Sequence, residues 1–208
     1  MAKVNVKKAI AECGKQIVDL GLVKATSGNI SYRGTDSFFI TPSGYPLNML
    51  TAEEIVEVEA TGQAIEVKEG VFGPLKPSME TGLHLAVYKA HPEAKAIVHA
   101  HPLYATLLGT IMEIRPVTYE AACFIYPINY VPPLLPGSKE LATYVGNTKA
   151  NVIVLKNHGV VVWGETLTEC VFRMQVMEEN AEQLYLAESL GYHPVVSEED
   201  IFKLKIKE

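Results

Sequence analysis

The 208-residue sequence predicts a single α/β domain, and three observations lead to that class. Segments with apolar residues at helical spacing alternate along the chain with short β-rich segments. No internal repeat, low-complexity tract or linker interrupts this alternation. Hydrophobic residues form 48% and charged residues 20% of the chain, as in ordinary globular proteins. We therefore expect residues 1–208 to fold as one unit with a sizeable core.

The composition also restricts the classes of binding partner and the cellular compartment that we expect for this protein. The net charge is −6 and no basic run occurs, which argues against nucleic-acid binding. No apolar stretch is long enough to span a bilayer, and the N-terminus lacks the apolar core of a secretion signal. The three cysteines are isolated and odd in number, so we expect no disulfide framework. These features indicate a cytoplasmic protein that binds neither nucleic acid nor membrane.

The first third of the chain predicts one helix followed by short strands. Five apolar residues share a helical spacing that predicts a helix ending at Gly21: Val6, Ile10, Cys13, Ile17 and Leu20. Four β-rich runs predict two hairpins: residues 30–33 with 37–41, and residues 56–59 with 64–67. Between the hairpins, Thr51 and Glu54 fit a capping box. Residues 68–77, with two glycines and two prolines, predict a loop.

The remaining segments predict helices and buried strands in alternation. Ser78 can cap a helix that runs to about Ala90. Three further helices are predicted: residues 102–108, residues 139–145, and residues 166–190 after a capping box. Three buried strands are predicted: residues 96–101, 152–155 and 160–163. The proline-rich stretch 113–136 predicts only short strand-like runs.

Two histidines on the central predicted strand indicate half of a metal site. His99 and His101 are spaced i, i+2, so on a strand their side chains point to the same face. Ala96, Val98 and Ala100 occupy the opposite face, which is typical of core. Catalytic zinc usually keeps three protein ligands and an open position, so a third ligand has to come from elsewhere. The alternative is a histidine pair that only forms hydrogen bonds near the sheet edge.

His158 and Glu80 are the candidates that would complete this site. His158 lies in a turn between two apolar strands, and the alternative to a third ligand is an ordinary surface histidine. Glu80 lies in the first turn of its predicted helix, where the helix dipole alone favours a carboxylate. It could also face the metal as ligand, general base or both. For His84, one turn later, we favour packing or orientation of a ligand over metal binding.

Two turns and one helix start are suited to an anion. Gly28-Asn29 and Ser43-Gly44 offer backbone N–H groups, an amide and a hydroxyl, and Ser78 stands at a helix start. Backbone nests and helix N-termini bind phosphate without needing lysine. Taken alone, either sequence also fits an ordinary structural turn.

Together these segments resemble the class II aldolase and adducin-like family. The resemblance covers nearly the whole chain, in order and spacing, and rests on these segments: Thr26-Ser27-Gly28-Asn29-Ile30-Ser31, Thr41-Pro42-Ser43-Gly44, Pro77-Ser78-Met79-Glu80 with His84, Val98-His99-Ala100-His101, and Asn157-His158-Gly159-Val160. It implies a three-layer α/β/α domain with a central, mostly antiparallel sheet. It also implies a homotetramer with four-fold symmetry.

The resemblance implies a zinc ion held by His99, His101 and His158, with Glu80 as the fourth ligand. Imidazole ligands also suit Mn²⁺, Fe²⁺ and Co²⁺.

For the phosphate of the substrate, the resemblance implies binding by Gly28-Asn29, Ser43-Gly44 and Ser78-Met79. Met79 stands where aldolases of the family often have a second serine, so only its backbone N–H could contribute.

The implied activity is cleavage of a ketose 1-phosphate to dihydroxyacetone phosphate and a small aldehyde. Glu80 would move the proton of the carbon nucleophile, and Tyr119 would reach a neighbouring subunit's site and donate to the aldehyde oxygen. A second tyrosine, in the family's C-terminal tail, has no counterpart in residues 197–208. Two alternatives remain: a sugar-phosphate epimerase or dehydratase on the same zinc scaffold, and a non-catalytic adducin-like module that would have lost ligands.

Overall fold

The computed structural model describes residues 3–205, and within them the chain alternates helices and strands. The helices are α1 (Lys3–Asp19), α2 (Thr81–Ala90), α3 (Leu103–Ile111), α4 (Tyr119–Phe124), α5 (Lys139–Gly146), α6 (Leu167–Ser189) and α7 (Glu198–Lys205). The strands are β1 (Asn29–Arg33), β2 (Ser37–Ile40), β3 (Val56–Glu59), β4 (Glu69–Gly70), β5 (Gly73–Pro74), β6 (Ala96–Ala100), β7 (Ile128–Val131), β8 (Val152–Leu155) and β9 (Gly159–Gly164). The extreme ends of the N-terminal segment and of the C-terminal tail lie outside the described residues.

A seven-stranded sheet in the order β3-β2-β1-β6-β9-β8-β7 forms the centre of the molecule. Its neighbouring strands are antiparallel except β7 and β8, which are parallel. Strands β4 and β5 form a separate small hairpin. The sheet is therefore mostly antiparallel, as the resemblance implied.

Helices cover both faces of this sheet. Every residue of β6, β8 and β9 is buried, which requires cover on both sides. On β2, Phe38 packs against Tyr88 of α2, whereas Phe39 lies under Lys7 of α1. Helices α2 and α5 pack together, and α6 packs against α1 and α3. The prediction of a three-layer α/β/α domain is confirmed. In the described part of the chain, no helix is both long enough and apolar enough to cross a bilayer.

Most local predictions are confirmed, and the exceptions have local causes. The predicted second hairpin forms only in part. Ala64 bridges to Val58 and the N–H of Ile65 donates to the carbonyl of Glu57, but residues 64–67 form no strand and β3 pairs along its length with β2. The predicted loop 68–77 contains the β4–β5 hairpin, whose tight turn ends at Gly73 with a φ of 112°. The stretch 113–136 contains α4, which begins where the Thr118 side chain accepts a hydrogen bond from the N–H of Ala121. Helix α7 was not predicted.

The antiparallel register collects the polar segments at one edge of the sheet. Asn29 at the start of β1 lies opposite His99 near the end of β6. Val160 at the start of β9 lies opposite Ala100. Thr41, just after β2, exchanges hydrogen bonds with Ile30 through its N–H and its hydroxyl. The ends of four chain segments therefore meet at this edge, where they can build a site.

Candidate active site

Three imidazoles converge at this edge, as the spacing of the histidines and the resemblance predicted. His99 lies near the end of β6, His101 follows that strand directly, and His158 comes from the turn between β8 and β9. Their candidate ligand atoms all lie within 4.8 Å of one another. The Nε2 atoms of His99 and His101 are 3.0 Å apart. This spacing can be bridged by one metal ion.

The tight turn before β9 makes the convergence possible. Asn157 adopts a left-handed conformation with a φ of 62°, which asparagine tolerates better than most residues. At Gly159, a Cβ atom would lie 2.5 Å from the carbonyl oxygen of Ala100 and 2.6 Å from Cδ2 of His101. Only glycine therefore lets the chain pass this close to the histidine-bearing strand.

Glu80 directs its carboxylate into the histidine cluster. Its Oε2 lies 3.1 Å from Nε2 of His99, and its Oε1 lies 3.5 Å from Nε2 of His158. The expected helix start needs correction, because α2 begins at Thr81 and Glu80 is the N-cap residue. Ser78 does not cap the helix; its Oγ accepts the N–H of Glu80 at 3.2 Å. This preceding turn aims Glu80 at the histidines.

Burial and mutual charges set the protonation of the cluster. Burial lowers the pKa of His99 to about 4 and also lowers the pKa of His101, with His158 adding to the effect. Burial alone would raise the pKa of Glu80, but His99, the hydrogen bond from Asn29, and His158 together lower it. Neutral imidazoles beside a charged carboxylate are the forms that bind a metal ion.

The donor set fits a divalent cation. Nδ1 of His99 lies 3.0 Å from the carbonyl oxygen of Val160 and donates to it, which leaves the Nε2 lone pair facing the cluster. Among the described residues, the buried Oε1 of Glu80 has no hydrogen-bond donor. A cation at the centre would satisfy both atoms. Three imidazoles with one carboxylate match the ligands that zinc accepts.

A cavity of about 350 Å³ opens beside the cluster. It is lined by all six residues predicted to bind phosphate, together with three members of the cluster: Gly28, Asn29, Ser43, Gly44, Ser78, Met79, Glu80, His101 and His158. The described residues that line it include no lysine or arginine. His99 lies fully buried behind them. The fold therefore places the two predicted groups of residues side by side.

The backbone donors of this cavity differ from those predicted. The N–H of Ser43 donates to the carbonyl of Lys76, and the N–H of Ser78 donates to the carbonyl of Thr41, so both residues offer only hydroxyls. The N–H groups of Gly28, Gly44 and Met79 have no protein acceptor within residues 3–205. These three groups remain available to an anion.

The structure does not bring Tyr119 into this cavity. It lies at the start of α4 with 59% of its surface exposed.

Sequence reasoning missed other features of the site. Thr26, Ser27, Pro42 and Pro136 also line the cavity, although none of them was among the residues predicted to bind phosphate. A buried hydrogen-bonded chain behind Glu80 was missed as well, although Glu80, His84 and Tyr88 stand at helical spacing.

Comparisons with known proteins agree with this architecture. Residues 8–185 match the sequence profile described as "Class II Aldolase and Adducin N-terminal domain". An L-fuculose phosphate aldolase from Methanocaldococcus jannaschii is 34% identical over 177 residues, which span 85% of this chain and 93% of that relative. A solved structure titled "L-fuculose 1-phosphate aldolase" superimposes with a TM-score of 0.87 at 27% identity, covering 98% of this chain and 95% of the other.

A relative named for a different activity is almost as similar. The 3-oxo-tetronate 4-phosphate decarboxylase of Haemophilus influenzae is 29% identical over 194 residues, covering 89% of each chain. Relatives named for more than one reaction thus match this chain, and all these matches extend over most of its length. The profile match, the relatives and the shared fold establish that this chain belongs to the class II aldolase and adducin family.

Proposed function

We propose that the chain is a zinc-dependent class II aldolase acting on a ketose 1-phosphate that resembles fuculose 1-phosphate. The products would be dihydroxyacetone phosphate and a small aldehyde. One observation carries this proposal: the Glu80 carboxylate and the imidazoles of His101 and His158, with His99 buried behind them, form one wall of a cavity. Its other walls offer N–H groups that have no protein acceptor among the described residues. The L-fuculose phosphate aldolases among its relatives support the same reaction.

His99, His101, His158 and Glu80 would hold the metal, which when bound supplies a Lewis acid for the carbonyl and hydroxyl oxygens of the substrate. Glu80 also has the charge and position of a general base and acid. In the cleavage direction, the hydroxyl oxygen that becomes the aldehyde oxygen gives up its proton and the electrons of the broken C–C bond pass to the carbon beside the carbonyl. Glu80 in its protonated form would deliver a proton to that carbon. In the condensation direction, Glu80 removes the same proton.

The phosphate group would lie against the opposite wall. The N–H groups of Gly28, Gly44 and Met79 and the hydroxyls of Ser43 and Ser78 can donate to its oxygens. The nearby N-terminal end of α2, a ten-residue helix, adds a favourable dipole. Because no basic side chain lines the described cavity, these neutral donors would bind the dianion.

Tyr119 is proposed to act from a neighbouring subunit of a cytoplasmic homotetramer. Its exposure outside its own chain's cavity is consistent with that role. Helix α3, which begins two residues after His101, carries an exposed apolar stripe of Leu103, Leu107 and Ile111. Such a stripe beside the site is suited to a subunit contact. Tyr119 of the adjoining chain would donate a proton to the aldehyde oxygen in the condensation direction and take it from the same oxygen in the cleavage direction.

The decarboxylase relative supports a second candidate reaction on the same site. Loss of CO₂ from a 3-oxo-tetronate 4-phosphate leaves its bonding electrons on the carbon beside the carbonyl, as aldol cleavage does. Protonation of that carbon then yields dihydroxyacetone phosphate in both reactions. The three-carbon phosphate therefore cannot distinguish the two activities, and the second fragment has to be measured.

The decisive experiment gives the purified protein fuculose 1-phosphate and 3-oxo-tetronate 4-phosphate separately, and measures aldehyde and CO₂ together with the three-carbon phosphate. We expect aldehyde from the first substrate, loss of activity on chelation, and about one divalent cation per chain. Release of CO₂ alone would assign the decarboxylase. Rearrangement or loss of water without cleavage would assign the epimerase or dehydratase, and absence of both metal and turnover would assign a non-catalytic adducin-like module.

A further inference from the structure

A buried chain of hydrogen bonds links Glu80 to the space between β1 and α2. Nδ2 of Asn29 donates to Oε2 of Glu80 at 2.9 Å. Oδ1 of Asn29 lies 2.5 Å from Nε2 of His84, and Nδ1 of His84 lies 2.6 Å from Oγ of Ser31. The hydroxyl of Tyr88 lies 2.7 Å from Oγ of Ser31. All five side chains are buried, and His84 has no exposed surface.

The charged carboxylate at one end of this chain sets which atom donates and which accepts in the hydrogen bonds that follow. A charged carboxylate only accepts hydrogen bonds, so Asn29 has to turn its amide nitrogen toward Glu80. Its oxygen, which also only accepts, then needs a donor, and Nε2–H of His84 is the group in place. With its proton on Nε2, the ring presents Nδ1 as an acceptor to the hydroxyl of Ser31, 2.6 Å away. The hydroxyl of Tyr88 can in turn donate to Ser31.

We propose that His84 is a positioning residue that fixes the orientation of the Asn29 amide, a role that rests on the proposed function of Glu80 and of the anion cavity. With its oxygen held by His84, Asn29 presents one N–H to Glu80. Its second N–H has no acceptor among the described residues, and Asn29 lines the cavity. The same amide therefore holds the carboxylate and offers a donor to the phosphate-bearing substrate.

Without the donor at position 84, Glu80 alone orients the amide, and Oδ1 of Asn29 becomes a buried acceptor with no donor among the described residues. The cost of that unpaired acceptor opposes the orientation that Glu80 favours. A flipped amide would turn its oxygen toward the Glu80 carboxylate and the cavity, where both the carboxylate and a bound phosphate would repel it. Loss of this donor is therefore expected to weaken anion binding even though His84 touches no substrate. The weaker anion binding would depend entirely on the presence of Asn29. A general contribution of His84 to packing would instead weaken binding whether or not Asn29 is present.

The test compares His84→Gln, whose amide nitrogen can replace the Nε2 donor, with His84→Asn, whose shorter side chain reaches only the position of Nδ1. The readout is the dissociation constant of inorganic phosphate for the zinc-loaded protein, measured by calorimetry. We expect His84→Asn to raise the dissociation constant of phosphate by about tenfold or more. Tenfold is the lower end of the range usually seen when a residue that orients a ligating group is removed. His84→Gln should restore binding to within about threefold of wild type.

A double-mutant cycle with Asn29→Ala then tests whether His84 affects phosphate binding through Asn29. If His84 acts through Asn29, His84→Asn has no further effect once Asn29 is alanine. Additive losses, or unchanged phosphate binding by His84→Asn, would overturn the proposal. Equal melting temperatures of the two His84 variants serve as the folding control.

A readout on the wild-type protein covers the case in which a variant fails to fold. Nitrogen-15 spectra of the imidazoles should show His84 neutral with its proton on Nε2, and a proton on Nδ1 alone would overturn the proposal. If the wild-type protein binds no phosphate, the proposal of an anion-binding cavity is wrong. The spectrum still shows whether His84 donates to Oδ1 of Asn29 and so orients its amide.

Discussion

The side chain of Glu80 combines two properties that a catalytic carboxylate needs, charge and freedom at one oxygen. Its Oε2 is held by Asn29 and lies near His99, while Oε1 has no hydrogen-bond donor in the described part of the chain. The pKa of the group is lowered despite its burial, so it is an available base at neutral pH.

Replacing Glu80 by Gln keeps the size of the side chain and removes its basicity. We expect kcat to fall by about 10²–10⁴, the usual range for loss of a general base, while most of the zinc remains bound by the three histidines. Exchange of the carbon-bound proton of dihydroxyacetone phosphate with solvent should fall in parallel, because it reports the same proton transfer without an aldehyde. Wild-type exchange in this variant would mean that Glu80 is only a ligand.

The buried histidines also link stability to pH. Burial lowers the pKa of His84 to about 3 and of His99 to about 4, whereas an unfolded histidine titrates near 6.5. Between these values the unfolded chain binds more protons than the folded one, so the free energy of unfolding decreases as pH falls. Glu80, whose pKa is lowered, adds a loss of the same sign at more acidic pH.

For the metal-free protein we therefore expect stability to fall between pH 6.5 and pH 4. Each linked proton contributes a slope of at most about 1.4 kcal/mol per pH unit. Urea denaturation at a series of pH values measures the slope, and His99→Asn should make it shallower. Stability that stays constant or increases as the pH is lowered over this interval would contradict the assignment.

At the scale of elements, strand β9 carries a different constraint at each end. A Cβ at Gly159 meets the ring of His101 and the carbonyl oxygen of Ala100, and that backbone oxygen cannot move without shifting β6. A Cβ at Gly164 meets Oε2 of Glu169 at 2.6 Å, the far end of a flexible side chain. One strand thus offers a sensitive position and a matched control.

Gly159→Ala should destabilise the fold by about 1–3 kcal/mol, the usual cost of inserting a methyl group into a packed site. It should also reduce zinc affinity, because the ring of His101 has to move. Gly164→Ala should change both quantities much less. Zinc titration and chemical denaturation of the two variants provide the measurement, and equal effects would show that the approach at Gly159 is not specific to the metal site.

The predicted elements show which signals act locally. Strands β6, β8 and β9 were predictable because continuous apolar, β-branched runs are favourable wherever both faces become buried. Helix α4 was not, because its capping residue Thr118 lies in a proline-rich stretch and its buried Ala121 and Ala122 give little periodic signal. The start of α2 was misplaced because Ser78 forms a turn with Glu80 instead of a helix cap.

At the scale of the whole molecule, the proposed site is shared between subunits. Mixing inactive Tyr119→Phe chains with inactive Glu80→Gln chains should restore activity, because some hybrid sites regain both groups. In a ring where each site takes Glu80 from one chain and Tyr119 from its neighbour, random equal mixing restores about a quarter of the sites. Activity after refolding of the mixture measures this fraction.

Each variant refolded alone is the control, and mass spectrometry can verify that mixed oligomers form. Absence of recovery in verified mixed oligomers would place Tyr119 in its own chain's site or outside catalysis.

The sequence by itself determined the candidate groups of the site and the order of the elements: three imidazoles, one carboxylate, two glycine-containing turns and a chain that alternates helices with buried strands. Side-chain chemistry and periodicity are local properties, so they can be recognised from the amino-acid sequence alone. The tertiary structure decided which N–H groups remain free, since those of Ser43 and Ser78 donate to carbonyls outside their own turns. It also decided the orientation of Asn29, whose amide contacts Glu80 and His84, 51 and 55 positions away. Such contacts depend on how β1 packs against α2, and no local pattern encodes that packing.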